Sequence, residues 1–270
     1  YHMWKSPERE NQLMPSEGYV QRDAYRNFYH TFNNVLTFDR TFADKHHINV
    51  LAGQEIYSRT LTGSGTTRAG LALPYFTEIP LASNDPTSTS SFIGYSLASF
   101  FAKAEYDYQQ KYFISASART DGSSRFHKDH RWGRFFSLGG AWRMSEESFM
   151  ENTKGWLQDL KLKASYGEVG NDRVNSYFAD RALYGPTSYA GNAAVTLSQV
   201  ANPTIKWETN IQSNIGVEFM LFNNLSGSVE YFSRKSKDLL LGRPLAPSLG
   251  MDAILENIGD VENKGYEIDL

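Results

Sequence analysis

The 270-residue chain contains no cysteine, which excludes disulfide bonds and thiolate metal sites. It has no apolar stretch near the roughly 18 residues that a transmembrane helix needs. The net charge is only −3, with both signs spread along the chain, so the sequence offers no basic footprint for nucleic acid and no basic patch for anionic lipid. Tyr1–Lys5 lacks the apolar region of a signal peptide, so an exported chain would be a fragment or a processed piece.

Aromatic residues are abundant, at 14% of the chain, although only 40% of residues are hydrophobic. This combination is unusual for a compact soluble core. It is typical of a β-barrel that has a polar interior and polar loops but an aromatic band on its outer surface.

Alternation of apolar and polar residues with period two is the strongest local signal. In Ala98–Tyr108, for example, Phe100, Ala102 and Tyr106 share one face, while Lys103 and Glu105 share the other. This pattern predicts strands with one face in an apolar medium and one in water. The nine predicted strands cover residues 24–38, 47–60, 94–108, 111–120, 135–144, 158–168, 206–221, 225–236 and 263–270.

The connections between these strands alternate in length. Short turns are predicted at Gln109-Gln110 and Asn223-Asn224, whereas long loops are predicted at 61–93, 169–205 and 237–262. Such alternation is typical of membrane barrels, which have tight periplasmic turns and long outer loops. Tyr106, Tyr108 and Tyr112 crowd one short turn, as an interfacial aromatic girdle would, although aromatic packing across an ordinary hairpin would also explain them.

Charged residues avoid the face that is predicted to contact lipid. An arginine or lysine on that face would destabilise the fold by about 2–4 kcal/mol at mid-bilayer. Several charged residues there would therefore cost as much free energy as the whole stability of a domain. The residues predicted to share the inner, water-facing side are Lys103, Glu105, Asp107, Lys161, Lys163, Glu218, Glu230 and Glu267.

Several segments carry recognisable motifs. Arg119–Phe126 (RTDGSSRF) with Arg131–Gly133 (RWG), Phe136–Glu147, Leu160–Asn171 (LKLKASYGEVGN) and Asn202–Glu208 (NPTIKWE) resemble, in order and spacing, the signatures of SusC/RagA outer-membrane proteins. Shorter matches follow at Lys237–Leu240, Asn257–Gly259 and Asn263–Glu267. Together the motifs cover most of residues 95–270, whereas residues 1–94 match loosely through Asn49–Glu55.

The resemblance implies an all-β fold, an antiparallel transmembrane β-barrel of about 22 strands with a plugged lumen, in the outer membrane of a Gram-negative, Bacteroidetes-like cell. It implies contact with outer-membrane lipid and TonB-driven uptake of oligosaccharides or peptides with a SusD-like lipoprotein. Residues 1–270 are expected to form part of this barrel only. The plug domain and the N-terminal region that contacts the TonB complex are expected to be absent from the chain.

Candidate chemical sites are few. His127-Lys128-Asp129-His130 has metal-like residue types but lies in a polar loop. Glu146-Glu147 suits the start of a helical turn that Ser145 could cap. Asp121-Gly122 suggests a tight turn. Arg125 could pair with acids inside the lumen, and a loop-ordering role is favoured over contact with a ligand. No catalytic, metal or cofactor-binding residue is predicted.

Four loop aromatics are the predicted ligand contacts, because aromatic rings stack on sugars: Tyr75, Phe76, Tyr184 and Tyr189. A soluble β-rich carbohydrate-binding or adhesin domain would also explain the aromatic loops. A β-rich hydrolase is the third alternative, and it is disfavoured because no nucleophile–base pair or separated pair of carboxylates stands out.

Overall fold

The computed structural model describes residues 2–5, 18–71, 73, 76–174 and 176–270. Fourteen strands lie within these residues: β1 (His2–Lys5), β2 (Tyr19–Phe42), β3 (His46–Ala69), β4 (Thr87–Tyr108), β5 (Tyr112–Ser123), β6 (Trp132–Arg143), β7 (Leu157–Asn171), β8 (Leu183–Tyr189), β9 (Asn192–Gln199), β10 (Glu208–Leu221), β11 (Leu225–Lys237), β12 (Leu240–Pro244), β13 (Ala253–Asn257) and β14 (Val261–Asp269). Short 3-10 helices occur at Ile79–Leu81, Met144–Glu146, Ser148–Thr153 and Pro247–Leu249. Over the same residues, no helix has the length and apolar character needed to cross a membrane.

Ten strands form one sheet in the order β1-β2-β3-β4-β5-β6-β7-β10-β11-β14, and β8-β9 and β12-β13 form separate hairpins. All nine predicted strands are therefore confirmed. The predicted loop at 61–93 is too long, since β3 continues to Ala69 and β4 begins at Thr87. Its serine and threonine residues give no apolar alternation, yet threonine suits a pleated strand and the backbone pairing does not require apolar side chains. The predicted loops at 169–205 and 237–262 contain the two hairpins.

The described residues divide into two compact units, each treated on its own. The first contains Tyr1–Thr31 and Tyr57–Ser96, and its small core consists of Val20, Leu71 and Ala82 with Phe76 and Ile79 packed against them. The second contains Phe32–Ile56 and Leu97–Leu270. All features discussed below belong to the second unit unless stated otherwise.

Three tight turns of the ten-stranded sheet, hereafter called the wall, share one backbone geometry. The pairs Ala43-Asp44, Gln109-Gln110 and Phe222-Asn223 all have positive φ, between 51° and 60°. In each turn the amide that follows the pair donates to the carbonyl that precedes it, for example Lys111 N to Tyr108 O at 2.9 Å. Two consecutive positive φ values define a type I′ turn. The turn predicted at Asn223-Asn224 is thus present but shifted by one residue.

Strand register confirms the two predicted faces. On the inner face, directly opposed positions run across seven strands: Asp107, Phe113, Ala141, Lys163, Gly216, Glu230 and Glu267. On the outer face the equivalent row is Tyr106, Ile114, Gly140, Ala164, Ile215, Tyr231 and Tyr266. Apolar side chains of that row are exposed, Ile215 by 61% and Tyr266 by 75%, as the lipid-facing side of a membrane sheet requires.

Candidate functional site

A network of ion pairs lies on the inner face of β7, β10 and β11. The Lys163 ammonium lies 3.0 Å from the Glu218 carboxylate and 2.9 Å from that of Glu230, and Lys161 lies 3.7 Å from Glu218. The network is possible because Gly216 separates Lys163 from Glu230 in the register. A Cβ at Gly216 would lie 3.2 Å from Lys163 Cε, so the lysine side chain crosses β10 through the space that glycine leaves open.

We expect a Lys163→Met, Glu230→Gln double-mutant cycle to give a coupling free energy of about 0.5–1 kcal/mol, since partly exposed ion pairs are worth little. The measurement is urea unfolding of the parent barrel in detergent. Gly216→Leu should abolish the coupling because it blocks the path of Lys163. A Lys103→Met, Glu230→Gln cycle is the control, because Lys103 pairs with Glu105 at 2.7 Å and should show no coupling with Glu230.

At the end of the strands opposite the tight turns, the second unit contains a buried apolar cluster, hereafter the loop core. Its members are Phe126, Phe135, Ala179, Ile205 and Trp207. The rings of Phe126 and Phe135 each lie 5.6 Å from that of Trp207, and Trp207 Nε1 donates to the Arg131 carbonyl at 2.7 Å. The loop core therefore joins the loop after β5 and the segment between β9 and β10 to the wall strand β6.

Polar motif residues surround the loop core and fix the loops by hydrogen bonds. The Ser123 hydroxyl donates to Asp172 at 2.7 Å, and Asn202 Nδ2 donates to the Leu255 carbonyl at 2.6 Å. The Asn257 side-chain amide donates to the carbonyls of Lys206 and Asp238, both at 2.9 Å, and its Oδ1 accepts from Lys206 N. The recognised motifs thus meet in space, and what they build is an ordered platform of outer loops.

Asp121-Gly122 is not a turn, which corrects the sequence interpretation. Both residues lie within β5, where Asp121 is buried and Nε of Arg119 donates to its carboxylate at 2.7 and 2.8 Å. Gly122 lies opposite Trp132, and a Cβ there would lie only 3.0 Å from the indole ring. The glycine gives room for the close approach of the indole, and its backbone is not left-handed.

Arg125 orders the loops, as the sequence predicts. Its guanidinium donates to the Asp172 carbonyl at 2.8 Å, and it lies 3.9 Å from the Asp172 carboxylate. It also lies over the Tyr177 ring at 4.7 Å from the centroid. These contacts tie the loop after β5 to the segment after β7.

An aromatic belt lies at the end of the wall where the tight turns occur. Tyr108, Tyr112 and Trp142 stack in sequence with ring centroids 6.4 and 6.3 Å apart. The Tyr112 hydroxyl donates to the Glu147 carboxylate at 2.5 Å, and Trp142 Nε1 donates to it at 3.2 Å. Such a belt is typical of a membrane–water interface, and the predicted girdle is present at this end.

The connection that follows β6 contains the helical turn that the sequence predicts, in two 3-10 segments. The predicted cap is wrong, however. Ser145 is buried and donates to Asp159 at 2.8 Å, because Ser145 faces β7 and not the free amides of the turn.

Hydrogen bonds from Tyr112 and Trp142, together with nearby Lys111, hold the pKa of the Glu147 carboxyl below its ordinary value of 4.5. A carboxylate with a lowered folded-state pKa stabilises the fold above its unfolded pKa, and that stability is lost as pH falls through the folded pKa. We therefore expect Trp142 fluorescence to change in an acidic transition below pH 4.5. The Glu147→Gln variant should lack this transition, and an identical transition in the variant would contradict the assignment.

The four predicted ligand aromatics have different positions. Tyr75 lies outside the described residues. Phe76, in the first unit, is half-buried against the small core and so is partly a packing residue. Tyr184 and Tyr189 are 67% and 78% exposed on β8, but the regular pairing from Tyr184 onwards puts them on opposite faces of the β8-β9 hairpin. Those two therefore do not form a single stacking surface.

Three further residues that organise the second unit, Trp207, Asn257 and Glu147, do not stand out in the sequence as functional residues. In the sequence, Trp207 and Asn257 are only members of motifs, and Glu147 is only part of an acidic pair. The contacts of Trp207 and Asn257 cannot be inferred from sequence because their partners are far away along the chain, and the same holds for the contact of Glu147 with Tyr112. An isolated tryptophan beside an acid within a recognised motif was the available signal for Trp207.

An antiparallel sheet with an apolar outer face, a charged inner face, an aromatic belt and ordered loops at the other end defines an outer-membrane β-barrel protein. The family model described as "TonB dependent receptor-like, beta-barrel" matches residues 5–270. The chain belongs to this family of receptors and transporters, and its place is the outer membrane.

Curated relatives agree with this assignment. The chain is 35% identical over 258 residues to TonB-dependent receptor P39 of Formosa agariphila, covering 92% of the chain and 24% of that protein. It is 32% identical over 187 residues to TonB-dependent receptor SusC of Bacteroides thetaiotaomicron, covering 64% of the chain and 18% of that protein. The chain thus spans about a quarter or less of the length of these relatives.

Among solved structures, the chain is similar to one described as the structure of the RagAB peptide transporter. The TM-score is 0.89 at 25% identity, and the match covers 99% of this chain and 30% of that chain. The RagAB peptide importer in its "closed-closed" state matches with a TM-score of 0.84 at 27% identity, covering 99% and 30%. The resemblance to SusC/RagA proteins that the motifs indicate is confirmed.

Proposed function

We propose that the chain is part of the barrel wall of a TonB-dependent importer that takes up oligosaccharides or peptides together with a SusD-like surface lipoprotein. In this proposal residues 1–270 contribute to one barrel domain, and the energy coupling lies in other parts of the parent protein. The structural match to a peptide transporter supports peptides as one cargo class, and the resemblance of the motifs to SusC/RagA proteins is the basis for including oligosaccharides.

The observation that carries the proposal is the segregation of charge across the wall. The inner face carries Lys161, Lys163, Glu218 and Glu230 in mutual ion pairs, while the neighbouring positions on the opposite face of these strands are apolar: Leu162, Ala164, Ile215, Val217, Val229 and Tyr231. A wall of this kind encloses water and faces lipid, as a pore for a hydrophilic cargo requires. The loop core then holds the outer loops in fixed positions, as selection of a cargo requires.

Within this proposal, Tyr184 and Tyr189 remain candidate cargo contacts because they are exposed on the β8-β9 hairpin. Since they lie on opposite faces of it, we propose that they act separately, each as a single stacking surface for a sugar or peptide group. Tyr75 and Phe76 are weaker candidates for the same role.

The test is deletion of the parent gene in its host, followed by growth on single glycan digests and on peptide mixtures. We expect growth to fail on one cargo class and to be restored by the parent gene, but not by a copy that lacks its TonB-contacting segment. A tagged parent protein should also copurify with a SusD-like lipoprotein. Unchanged growth on every cargo, with purification of the protein alone, would overturn the proposal.

A further inference from the structure

The sequence predicts that charged residues avoid the outer face, and the register shows that this is wrong at several positions, one of which is an arginine. Arg134 lies on β6 between Trp132 and Phe136, which share its face and are 48% and 45% exposed. Its side chain is exposed, and within the described part of the chain its guanidinium has no hydrogen-bond or ion-pair partner. Two lysines on the same face are paired by contrast, Lys264 with Glu262 at 3.0 Å and Lys235 with Asp260 at 3.2 Å.

The height of Arg134 follows from the strand geometry. It lies eight residues along β6 from Trp142 in the aromatic belt. At about 3.3 Å per residue and a tilt of about 35–45°, this separation is about 20 Å along the membrane normal. Because the apolar band of a membrane barrel is about 25 Å tall, Arg134 lies near the band's other edge, in the outer leaflet.

An apolar depression adjoins the guanidinium. Small side chains form its floor, because Thr120 lies opposite Arg134 and Ala118 lies opposite Phe136 and Ala102 in the register. Aromatic rings form its sides: Phe100 stacks on Trp132 at 6.4 Å, and Phe136 lies 5.6 Å from Tyr166. Glu168 also lines it, and its carboxylate accepts a hydrogen bond from the Tyr166 hydroxyl at 2.7 Å.

We propose that this depression binds one phosphorylated lipid of the outer leaflet, with Arg134 on the phosphate and an acyl chain over Ala118 and Phe136. The planar guanidinium donates two parallel hydrogen bonds to a phosphate, and an unpaired cation at the edge of an apolar groove complements an anion joined to a hydrocarbon chain. The site contains a single arginine surrounded by aromatic side chains. Because one cation does not form a basic cluster, the sequence shows no basic patch for anionic lipid.

The test uses the delipidated parent barrel in detergent, titrated with monophosphoryl lipid A and, separately, with the same lipid after removal of its phosphate. Trp132 fluorescence and native mass spectrometry report binding. Arg134→Gln should weaken binding of the phosphorylated lipid about tenfold, the effect of losing one charged hydrogen-bonding partner. The phosphate-free lipid should bind both proteins equally weakly.

Three further variants and one competitor distinguish binding at Arg134 from a general effect of surface charge. Lys264→Gln, the matched control, removes a paired cation from the same face and should leave the affinity within about twofold of the parent. Arg134→Lys should fall between parent and Arg134→Gln, and Glu168→Gln should tighten binding because it removes a negative charge. Inorganic phosphate alone should not compete at millimolar concentration.

Equal affinity of parent and Arg134→Gln for the phosphorylated lipid would overturn the proposal, as would competition by inorganic phosphate alone, which would indicate a simple anion site. Heat-modifiable gel migration verifies that each variant is folded. Because lipid binding is measured without cargo or TonB, its failure leaves the import proposal untouched.

Discussion

Replacing Trp207 by alanine is expected to unfold the outer loops while the strands of the wall stay paired. Trp207 is only 8% exposed at the centre of the loop core, and truncation of such a tryptophan costs about 3–5 kcal/mol. The Arg131 carbonyl also loses one of its two donors, although Ser123 N still donates to it at 3.1 Å. The wall should persist because backbone hydrogen bonds between neighbouring strands hold it, independently of the loop core.

Hydrogen exchange of the parent barrel in detergent measures this effect. Amides of residues 172–207 should exchange much faster in Trp207→Ala, whereas those of β7 and β10 should be unchanged. Trp207→Phe keeps most of the buried ring and should show a smaller change. Trp156→Ala is the matched control, since Trp156 is 48% exposed and lies outside the loop core. Parent-like exchange in residues 172–207 of Trp207→Ala would show that the loop core does not hold the loops.

An arginine at Ile215 should destabilise the barrel by about 2–4 kcal/mol, whereas an arginine at the adjacent Asn214 should be nearly neutral. Ile215 lies midway along β10 on the outer face, and Asn214 lies on the inner face between Ser165 and Phe232. The two substitutions introduce the same side chain one residue apart, so they differ in the medium that receives the charge and in the side chain that is removed.

The measurement is urea unfolding of the parent barrel in lipid vesicles, followed by tryptophan fluorescence. Ile215→Ala is included because it separates the loss of apolar contact from the cost of the charge. Equal destabilisation by Ile215→Arg and Asn214→Arg would contradict the assignment of faces. A larger cost at Asn214 would mean that the faces are reversed.

The wall could be predicted from the sequence because its physics is local. Alternation in Ala98–Tyr108 or Leu160–Gly167 reports directly which medium each face meets, and register then follows from keeping those faces aligned. The loop core could not be predicted in the same way. Phe126, Ala179 and Ile205 are far apart along the chain, and their burial depends on contacts that no local period encodes.

The hairpins at β8-β9 and β12-β13 were missed for a related reason. Leu183–Tyr189 includes Gly185, Pro186, Thr187 and Ser188, which carry no apolar alternation because both faces of the strand are largely exposed. The same absence of apolar alternation means that the positions of the candidate ligand aromatics on β8 could not be predicted. Sequence placed Tyr184 and Tyr189 in one loop, and only the strand pairing shows that they point apart.

The three type I′ turns of the wall have a consequence for its assembly. Their central pairs contain no glycine, although a left-handed backbone costs an ordinary residue about 1–2 kcal/mol. These turns are therefore poor nucleation sites, and each closes only because the strands on either side are already matched. We expect the order of assembly to run from the paired strands to the turns, so that the hairpins zip towards the periplasmic rim.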